Sequence, residues 1–580
     1  MTTAHNTLAS TPRERRQFWL FMLVALLVLG AGIGLRDPWP ADEPRFVLAA
    51  KHMVESGDWL ITHRGSELYS DKPPTFMILQ AAAYQITGHW RIAFLLPSLL
   101  AALGTLFLII DLGRRLWSPR AGLWAGMAVL ATVQFAYQSK RAQIDPVVTF
   151  FITLANYGLL RHFLLGPDWR LYWLGCFAAG LGVITKGVGV LALLMFIPFV
   201  VARWRDWSEL PRFHGSAWRW IGGVLAFLAA VALWLLPMIL AVRANGSAEY
   251  QAYLEDILFR QTADRYSGSW SHAQPPWYFL EVILVSWLPL SIALIGVVPR
   301  WIERLRARDA RLLLPLAWVI LVLVFFSIPS GKRDVYILPA LPMVALACGP
   351  FLGDLSRQRW LRRAMFGFVL VLGLLFLVMG VGAWTGWIAQ AHEWAIERGL
   401  GESDDLLWAF VTTVGAITLM AAVVFRVRRS FVAAGLALAC LWTLWGFWAY
   451  PVLNDSTSAA SVMRRAGEVA GAGAEIGLVG WKEQNLLRAD RPVAEFGFRK
   501  LGNEQLAEAI RWQEADPARR WIFILDLYMT PCIDPRKATV VGHANRREWV
   551  MFRSDAVAES CRGGRVPPLT PETLEALNSQ

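Results

Sequence analysis

Residues 404–450 read DDLLWAFVTTVGAITLMAAVVFRVRRSFVAAGLALACLWTLWGFWAY: two apolar runs, 404–426 and 431–450, hinged on Arg426, Arg428 and Arg429. Each run is long enough to cross the ~30 Å of hydrocarbon in a bilayer as a helix. The arginines between them are what a cytoplasmic turn carries, because Lys and Arg accumulate in loops on that side. Working outward from this hairpin, further runs fall at 18–36, 91–110, 120–137, 146–165, 172–185, 187–203, 219–241, 276–296, 311–327, 334–350 and 361–385, giving about thirteen expected spans. Alternate loops hold Arg114, Arg115 and Arg120; Arg161 and Arg170; Arg203, Arg205, Arg212 and Arg219; Arg300 to Arg311; and Arg357 to Arg363. The N-terminal Arg13-Glu14-Arg15-Arg16 belongs with them, so the N-terminus is expected in the cytoplasm and, with an odd count, the C-terminal tail outside.

Composition agrees. The chain of 580 residues is 56% hydrophobic and only 17% charged, with a mean hydropathy of +0.41, whereas a soluble chain carries about 25% charged residues. Thirty Trp suit the membrane–water boundary. A net charge of +12 is accounted for by basic cytoplasmic loops, so nucleic acid is not an expected partner. The run after Arg16 is too long for a signal-peptide core, and no small-residue cleavage site follows Arg36-Asp37-Pro38, so the first helix is expected to be retained. The expected organisation is therefore a transmembrane region at 1–452 with a large first outer loop at 37–90, and a small exported α/β domain at 453–580.

In that tail, Ile476 to Trp481, Trp521 to Leu527 and Trp549 to Arg553 have strand character. Asn503 to Glu514 has helical spacing, with Leu506, Ile510 and Trp512 as apolar positions. Of five cysteines, Cys176, Cys348 and Cys440 lie in apolar runs, while Cys532 and Cys561 lie in the tail and are a candidate disulfide pair if it is exported. No cysteine spacing suggests a metal site.

The outer loops carry charges that topology alone disfavours. The first holds Asp42-Glu43-Pro44-Arg45, Lys51, His52 and Tyr69-Ser70-Asp71-Lys72-Pro73-Pro74. Others hold Lys140-Arg141-Ala142-Gln143-Ile144-Asp145-Pro146, Lys186, the group Glu255, Asp256, Arg260, Asp264, Arg265 and His272, and Ser330-Gly331-Lys332-Arg333-Asp334-Val335-Tyr336. Cations that can hold a phosphate and carboxylates that can work beside it thus gather on one rim, as in an enzyme acting on an anionic group at the membrane surface. Segments Pro44 to Glu55 and Pro73 to Ile86 have the one-sided apolar pattern of helices lying in the interface plane.

Each residue also has a plainer reading. Asp42, Asp71 and Asp145 stand before prolines that can open helices, as N-caps do. Lys72 and Arg45 can be snorkelling cations, Tyr69 and Tyr336 interface aromatics, and His272 a hydrogen-bonded loop histidine.

The motifs Asp42-Glu43-Pro44-Arg45, Asp71-Lys72-Pro73-Pro74, Gln143-Ile144-Asp145-Pro146, Leu181 to Gly187, His272-Ala273-Gln274-Pro275-Pro276-Trp277-Tyr278 and Tyr336-Ile337-Leu338-Pro339 occur in the order found in a known family. The chain resembles the protein O-mannosyltransferase-like branch of the GT-C membrane glycosyltransferases and, within it, the lipid A aminoarabinose transferases. One departure is Asp71, where many relatives have Glu. The resemblance implies a polyprenyl-phosphate-linked sugar donor (undecaprenyl phosphate carrying 4-amino-4-deoxy-L-arabinose), a lipid A phosphate acceptor, transfer on the periplasmic face of the bacterial inner membrane, an inverting displacement, and a monomer among membrane lipids. It implies Asp42 as the primary catalytic carboxylate, Asp145 as a second acidic group, and Arg45 orienting Asp42 or touching phosphate. Lys72, Tyr69, Arg260 and Tyr336 would bind the donor phosphate. No cofactor is required, but Asp71 and His272 would share a divalent cation, Zn or Mg/Mn, if one binds. The competing expectations are a protein or glycan glycosyltransferase of the same fold and, from another class, an anionic-lipid transporter or flippase. A transporter calls for charges near the bilayer midplane and paired halves, neither of which the sequence has.

Overall fold

A computed structural model describes residues 11–207, 210–211, 213, 217–260, 273–544 and 547–571, without the side chains of Arg260 and Glu402. Each of the thirteen apolar runs lies mainly in helical backbone. Among the described residues, eight helices are long and apolar enough to cross a membrane, or nine if Tyr278–Ser286 and Leu290–Arg306, bent by 112° at their break, count as one. The expected runs depart from single straight helices in physically ordinary ways. The run 120–137 is divided at Thr132 into Pro119–Ala131 and Val133–Ser139, and 187–203 starts as the 3-10 segment Val188–Met195 before becoming α-helical at Phe196–Trp204.

The elements that position the site are α1 (Pro12–Gly30), α2 (Glu43–Ser56), α3 (Thr75–Thr87), α4 (Trp90–Ala93), α5 (Leu96–Leu116), α6 (Pro119–Ala131), α7 (Val133–Ser139), α8 (Ile144–Leu165) and α9 (Trp169–Lys186). Glycines let α8 and α9 pack backbone to backbone: a Cβ on Gly158 would stand 2.3 Å from Leu171 O. Such close approach is the usual way helices associate where water supplies no hydrophobic drive. The tight pair carries Asp145 at one end of α8 and Lys186 at the end of α9, where Gly187 takes φ +66° to turn the chain.

The bundle has two chemically distinct ends. At one, Asp111 receives Arg114 and Arg115 at 2.6 and 2.5 Å and Tyr157 Oη at 2.7 Å, and Arg311 donates to Leu116 O at 3.3 Å. At the other end of α5, Ser98 Oγ donates to Gln143 O at 3.4 Å. The first loop and the C-terminal sheet region meet at this second end.

The first loop contains the expected helices as α2 and α3, joined through a hairpin of β1 (His63–Arg64) and β2 (Glu67–Leu68). The sheet region has five strands, β3 (Glu475–Val479), β4 (Val493–Glu495), β5 (Arg520–Leu525), β6 (Thr539–Ala544) and β7 (Arg547–Phe552), in the order β4-β3-β5-β7-β6. β3 pairs in parallel with β4 and β5; the β5–β7 and β7–β6 pairs are antiparallel. In β5, Phe523 and Leu525 pack with helix Ala460–Ala470, and Ile522 and Ile524 pack with helix Gly502–Glu514. Alternate residues thus bury on opposite faces, which explains the unbroken apolar run. Leu506 and Ile510 face the core as expected; Trp512 is half-buried, its ring over Gly477 of β3 and 4.7 Å from the Arg520 guanidinium. Cys532 and Cys561 form a disulfide.

Candidate active site

The adjacent acids Asp42 and Glu43 have different environments. Glu43 is 1% exposed and accepts four hydrogen bonds, from Arg36 Nη1 and Nη2 at 2.5 and 2.8 Å, Trp39 N at 2.8 Å and Ala142 N at 2.9 Å. Burial alone would raise the Glu43 carboxyl; Arg36 and the amide of Trp39 override it and hold it below the ordinary carboxylate value. Arg36 in turn lies against the rings of Trp39, Phe94 and Tyr450 and donates to Lys140 O. The Lys140 ammonium, buried at 3% exposure, donates to Val28 O, Leu29 O and Ala31 O, capping the end of α1. This rivet fixes the start of α2 against the bundle, and Asp42 is fixed with it.

Asp42 occupies the N-cap position of α2 but makes no side-chain capping bond, so the plain capping reading does not describe it. Its carboxylate is about one-fifth exposed, 3.9 Å from Arg45 Nη1 and 3.8 Å from Arg333 Nη2. Neither approach is a hydrogen bond, so among the described residues its oxygens retain open lone pairs. Arg45 is turned by a second acid: its Nε donates to Glu483 Oε1 at 2.9 Å, and the Glu483 side chain is only 4% exposed. Glu483 begins the short helix Glu483–Arg488 of the sheet region, so the tail contributes a residue to the rim.

Arg333 leads into the 3-10 segment Asp334–Ala340, with Tyr336 N donating to Arg333 O at 3.1 Å. The Tyr336 ring lies 5.2 Å from Lys186 Nζ, and Lys186 is ion-paired with Asp145. Asp145 is therefore engaged by a lysine across the α8–α9 contact. Thr75 Oγ1 donates to Ile184 O at 2.6 Å, bringing the Asp71-Lys72-Pro73-Pro74 turn beside the end of α9. Lys72 is half-buried and donates to Asp71 O at 3.1 Å.

The structure thus joins Asp42 with Arg45, and Asp145 with Lys186 and Tyr336, and links the two groups through Arg333. It differs at Tyr69, which is fully buried beneath Arg64 and Arg45 instead of presenting its phenol at the interface. Among the described residues no group of three or more His, Cys, Asp and Glu can hold a metal. Asp71 favours the charge of Arg64 through its field, and its expected partner His272 is not among the described residues. His272, Asp264, Arg265 and the Arg260 side chain lie outside the described residues. Three contributors were not anticipated as site residues. Arg333 and Lys186 stand in motifs visible in the sequence, whereas Glu483 has no local signal.

Residues 16–245 match the family of dolichyl-phosphate-mannose-protein mannosyltransferases. The undecaprenyl phosphate-alpha-4-amino-4-deoxy-L-arabinose arabinosyl transferase of Pectobacterium atrosepticum is 30% identical over 411 residues, covering 64% of this chain and 69% of that protein. The chain belongs to this arabinosyl transferase family. The Pseudomonas aeruginosa family member is 32% identical over 357 residues, 58% of this chain; the chain spans 60% of the length of that relative. The crystal structure of ArnT from Cupriavidus metallidurans bound to undecaprenyl phosphate superposes with a TM-score of 0.68 at 19% identity, covering 95% of this chain and 99% of that one. The fold is shared over nearly the whole chain: this arabinosyl transferase family member is a multi-pass helical membrane protein with a C-terminal sheet region.

Proposed function

We propose that this protein transfers 4-amino-4-deoxy-L-arabinose from undecaprenyl phosphate to a phosphate of lipid A, on the periplasmic face of the bacterial inner membrane, and so confers resistance to cationic peptides. The observation that carries this is the kinship over 69% of a transferase of that name, joined to a carboxylate standing open between two guanidinium groups. In this reading the N-terminus is cytoplasmic, residues 1–452 are the membrane domain, residues 453–580 are a periplasmic domain, and the enzyme is a monomer.

The donor's phosphate is already the leaving group. As its bond to the anomeric carbon breaks, an acceptor oxygen bonds to that carbon from the opposite face, inverting it, and undecaprenyl phosphate departs. The step needs cations where negative charge grows, in a site from which water is kept. Lys72, and Lys186 beside Tyr336, supply them, and Asp145 holds Lys186 in position; Arg260, whose side chain is outside the described residues, is a further candidate from the sequence alone. A lipid A phosphate is largely ionised at neutral pH, its second pKa being about 6, so it requires orientation more than deprotonation. Arg45 and Arg333 hold that phosphate, and Asp42 sets both guanidiniums while facing the positive charge that develops on the amino sugar.

The test is reconstitution in proteoliposomes with the lipid-linked aminosugar and either lipid A or its phosphate-free form. Transfer to lipid A and none to the phosphate-free lipid is the expected outcome. Transfer to a peptide or glycan hydroxyl in place of lipid A would overturn the acceptor assignment.

A further inference from the structure

Where the sheet region meets the first loop, one buried cation is incompletely matched. Arg64, on β1, is 6% exposed. Its guanidinium lies 3.8 Å from the centroid of the Phe498 ring and 5.4 Å from that of Tyr69. Its Nε is buried without a hydrogen-bond partner. Among the described residues its one close anion is Glu483 Oε1, 3.8 Å from Nη1, and that same oxygen already accepts from Arg45 Nε at 2.9 Å. Lys482, next in the chain and exposed, points its ammonium at the Phe498 ring from 5.7 Å. Glu483 is therefore shared between Arg64 and Arg45, which also has Asp42 at 3.9 Å, with Lys482 beside them, while Asp71 acts on Arg64 only through its field. Burial disfavours the Arg64 charge more than Glu483 and Asp71 favour it. Buried guanidiniums are normally matched by carboxylate or phosphate in bidentate geometry, and among the described residues Arg64 has no such partner.

We propose that Arg64 and Lys482, backed by the Phe498 ring, form a phosphate subsite between the first loop and the sheet region, and that its occupant is a phosphate of the acceptor lipid. This rests on the proposed transfer reaction and deepens it. Glu483 joins this subsite to the rim, since it holds Arg64 and Arg45 at once, and Arg45 reaches Asp42. The acceptor would thus be gripped partly by the tail, which gives the sheet region a role in choosing the acceptor. A phosphate here also supplies the anion that Arg64 lacks.

The variants are Arg64→Met, which keeps the apolar stem on Phe498 and removes the buried charge, and Lys482→Gln at the exposed position. An arginine present for stability alone would leave Arg64→Met less stable; a cation waiting for a ligand leaves it as stable as the parent or more so. Two readouts separate this proposal from the reaction it rests on. The first is binding of lipid A and of phosphate-free lipid A to the full chain in detergent. The second is transfer kinetics with donor and acceptor varied in turn. Loss of one charge-assisted contact should weaken lipid A binding and raise the acceptor KM roughly tenfold to a hundredfold, with the donor KM changed by less than about twofold. Parent-like lipid A binding by both variants, with transfer intact, would overturn the subsite and leave the reaction standing. Phosphate-dependent binding abolished in Arg64→Met, in a protein that transfers nothing, would uphold the subsite and sink the reaction. Weakened donor binding with unchanged acceptor binding would reassign the phosphate to the donor and refute the acceptor subsite.

Discussion

Replacing Glu43 by glutamine should destabilise the protein far more than replacing its neighbour Asp42 by asparagine. The Glu43 carboxylate takes two N–H groups of Arg36 and two backbone amides, and both members of the ion pair are 1% exposed. Glutamine keeps one acceptor oxygen and turns an amide N–H₂ toward the guanidinium, leaving Arg36 charged and buried. Two unit charges 4 Å apart attract by about 4 kcal/mol at an effective dielectric constant of 20, and removing one member of a buried pair costs about 3–5 kcal/mol. Asp42 touches its cations only at 3.8 and 3.9 Å with one-fifth of its side chain exposed, a pair of the kind whose loss costs roughly 0–1 kcal/mol. Thermal melting in detergent, followed by tryptophan fluorescence, should separate the two variants clearly. The double variant Arg36→Leu with Glu43→Gln should recover part of the loss, since it removes the unpaired charge while the glutamine oxygen still accepts from a backbone amide. Equal melting of Glu43→Gln and the parent, or a double variant no better than the single, would refute the rivet. The pH dependence has a definite sign. The folded Glu43 carboxyl lies below its ordinary value, so its contribution is fully present above about pH 4.5 and is lost as pH falls through the folded value.

Lys186→Met should raise the donor KM roughly tenfold to a hundredfold through loss of a charge-assisted phosphate contact, and Lys186→Arg should recover part of it; an unchanged donor KM would remove Lys186 from the donor site. Breaking the Cys532–Cys561 bond, which closes a separation of 29 residues, should cost the sheet region about 3–4 kcal/mol. Limited proteolysis with and without reductant reads this as faster cleavage after residue 453, and identical cleavage rates would contradict it.

The helical runs were legible because crossing a membrane demands length and apolarity that no other local signal imitates. Helices α2 and α3 were legible from their one-sided apolar spacing, and strands β3, β5 and β7 from short, largely apolar runs. β4, only three residues long, and β6, with exposed Thr539 and Val540, lack that contrast. The carboxylates Asp42 and Asp145 drew notice for their charge on an outer loop, but Glu43 looked equivalent to Asp42. Only the burial of Arg36 against three rings separates their roles. The contact of Arg45 with Glu483 joins residues 438 apart, and a single sequence carries no trace of such a pairing. Tyr69 misled for a related reason: its place in a charged motif says nothing of the hairpin that folds over it.

The central claim is that this chain moves an aminosugar to lipid A and that Asp42 is needed for it. The direct measurement is the mass spectrum of lipid A from a bacterium that makes the lipid-linked aminosugar but lacks its own transferase, carrying either this protein or Asp42→Asn at matched membrane levels. Modified lipid A with the parent protein, and a loss of roughly 10²–10³-fold with Asp42→Asn through lost electrostatic stabilisation, is the predicted result. Equal modification by both proteins would remove Asp42 from the chemistry, and none from either, with both folded in the membrane, would contradict the assigned reaction.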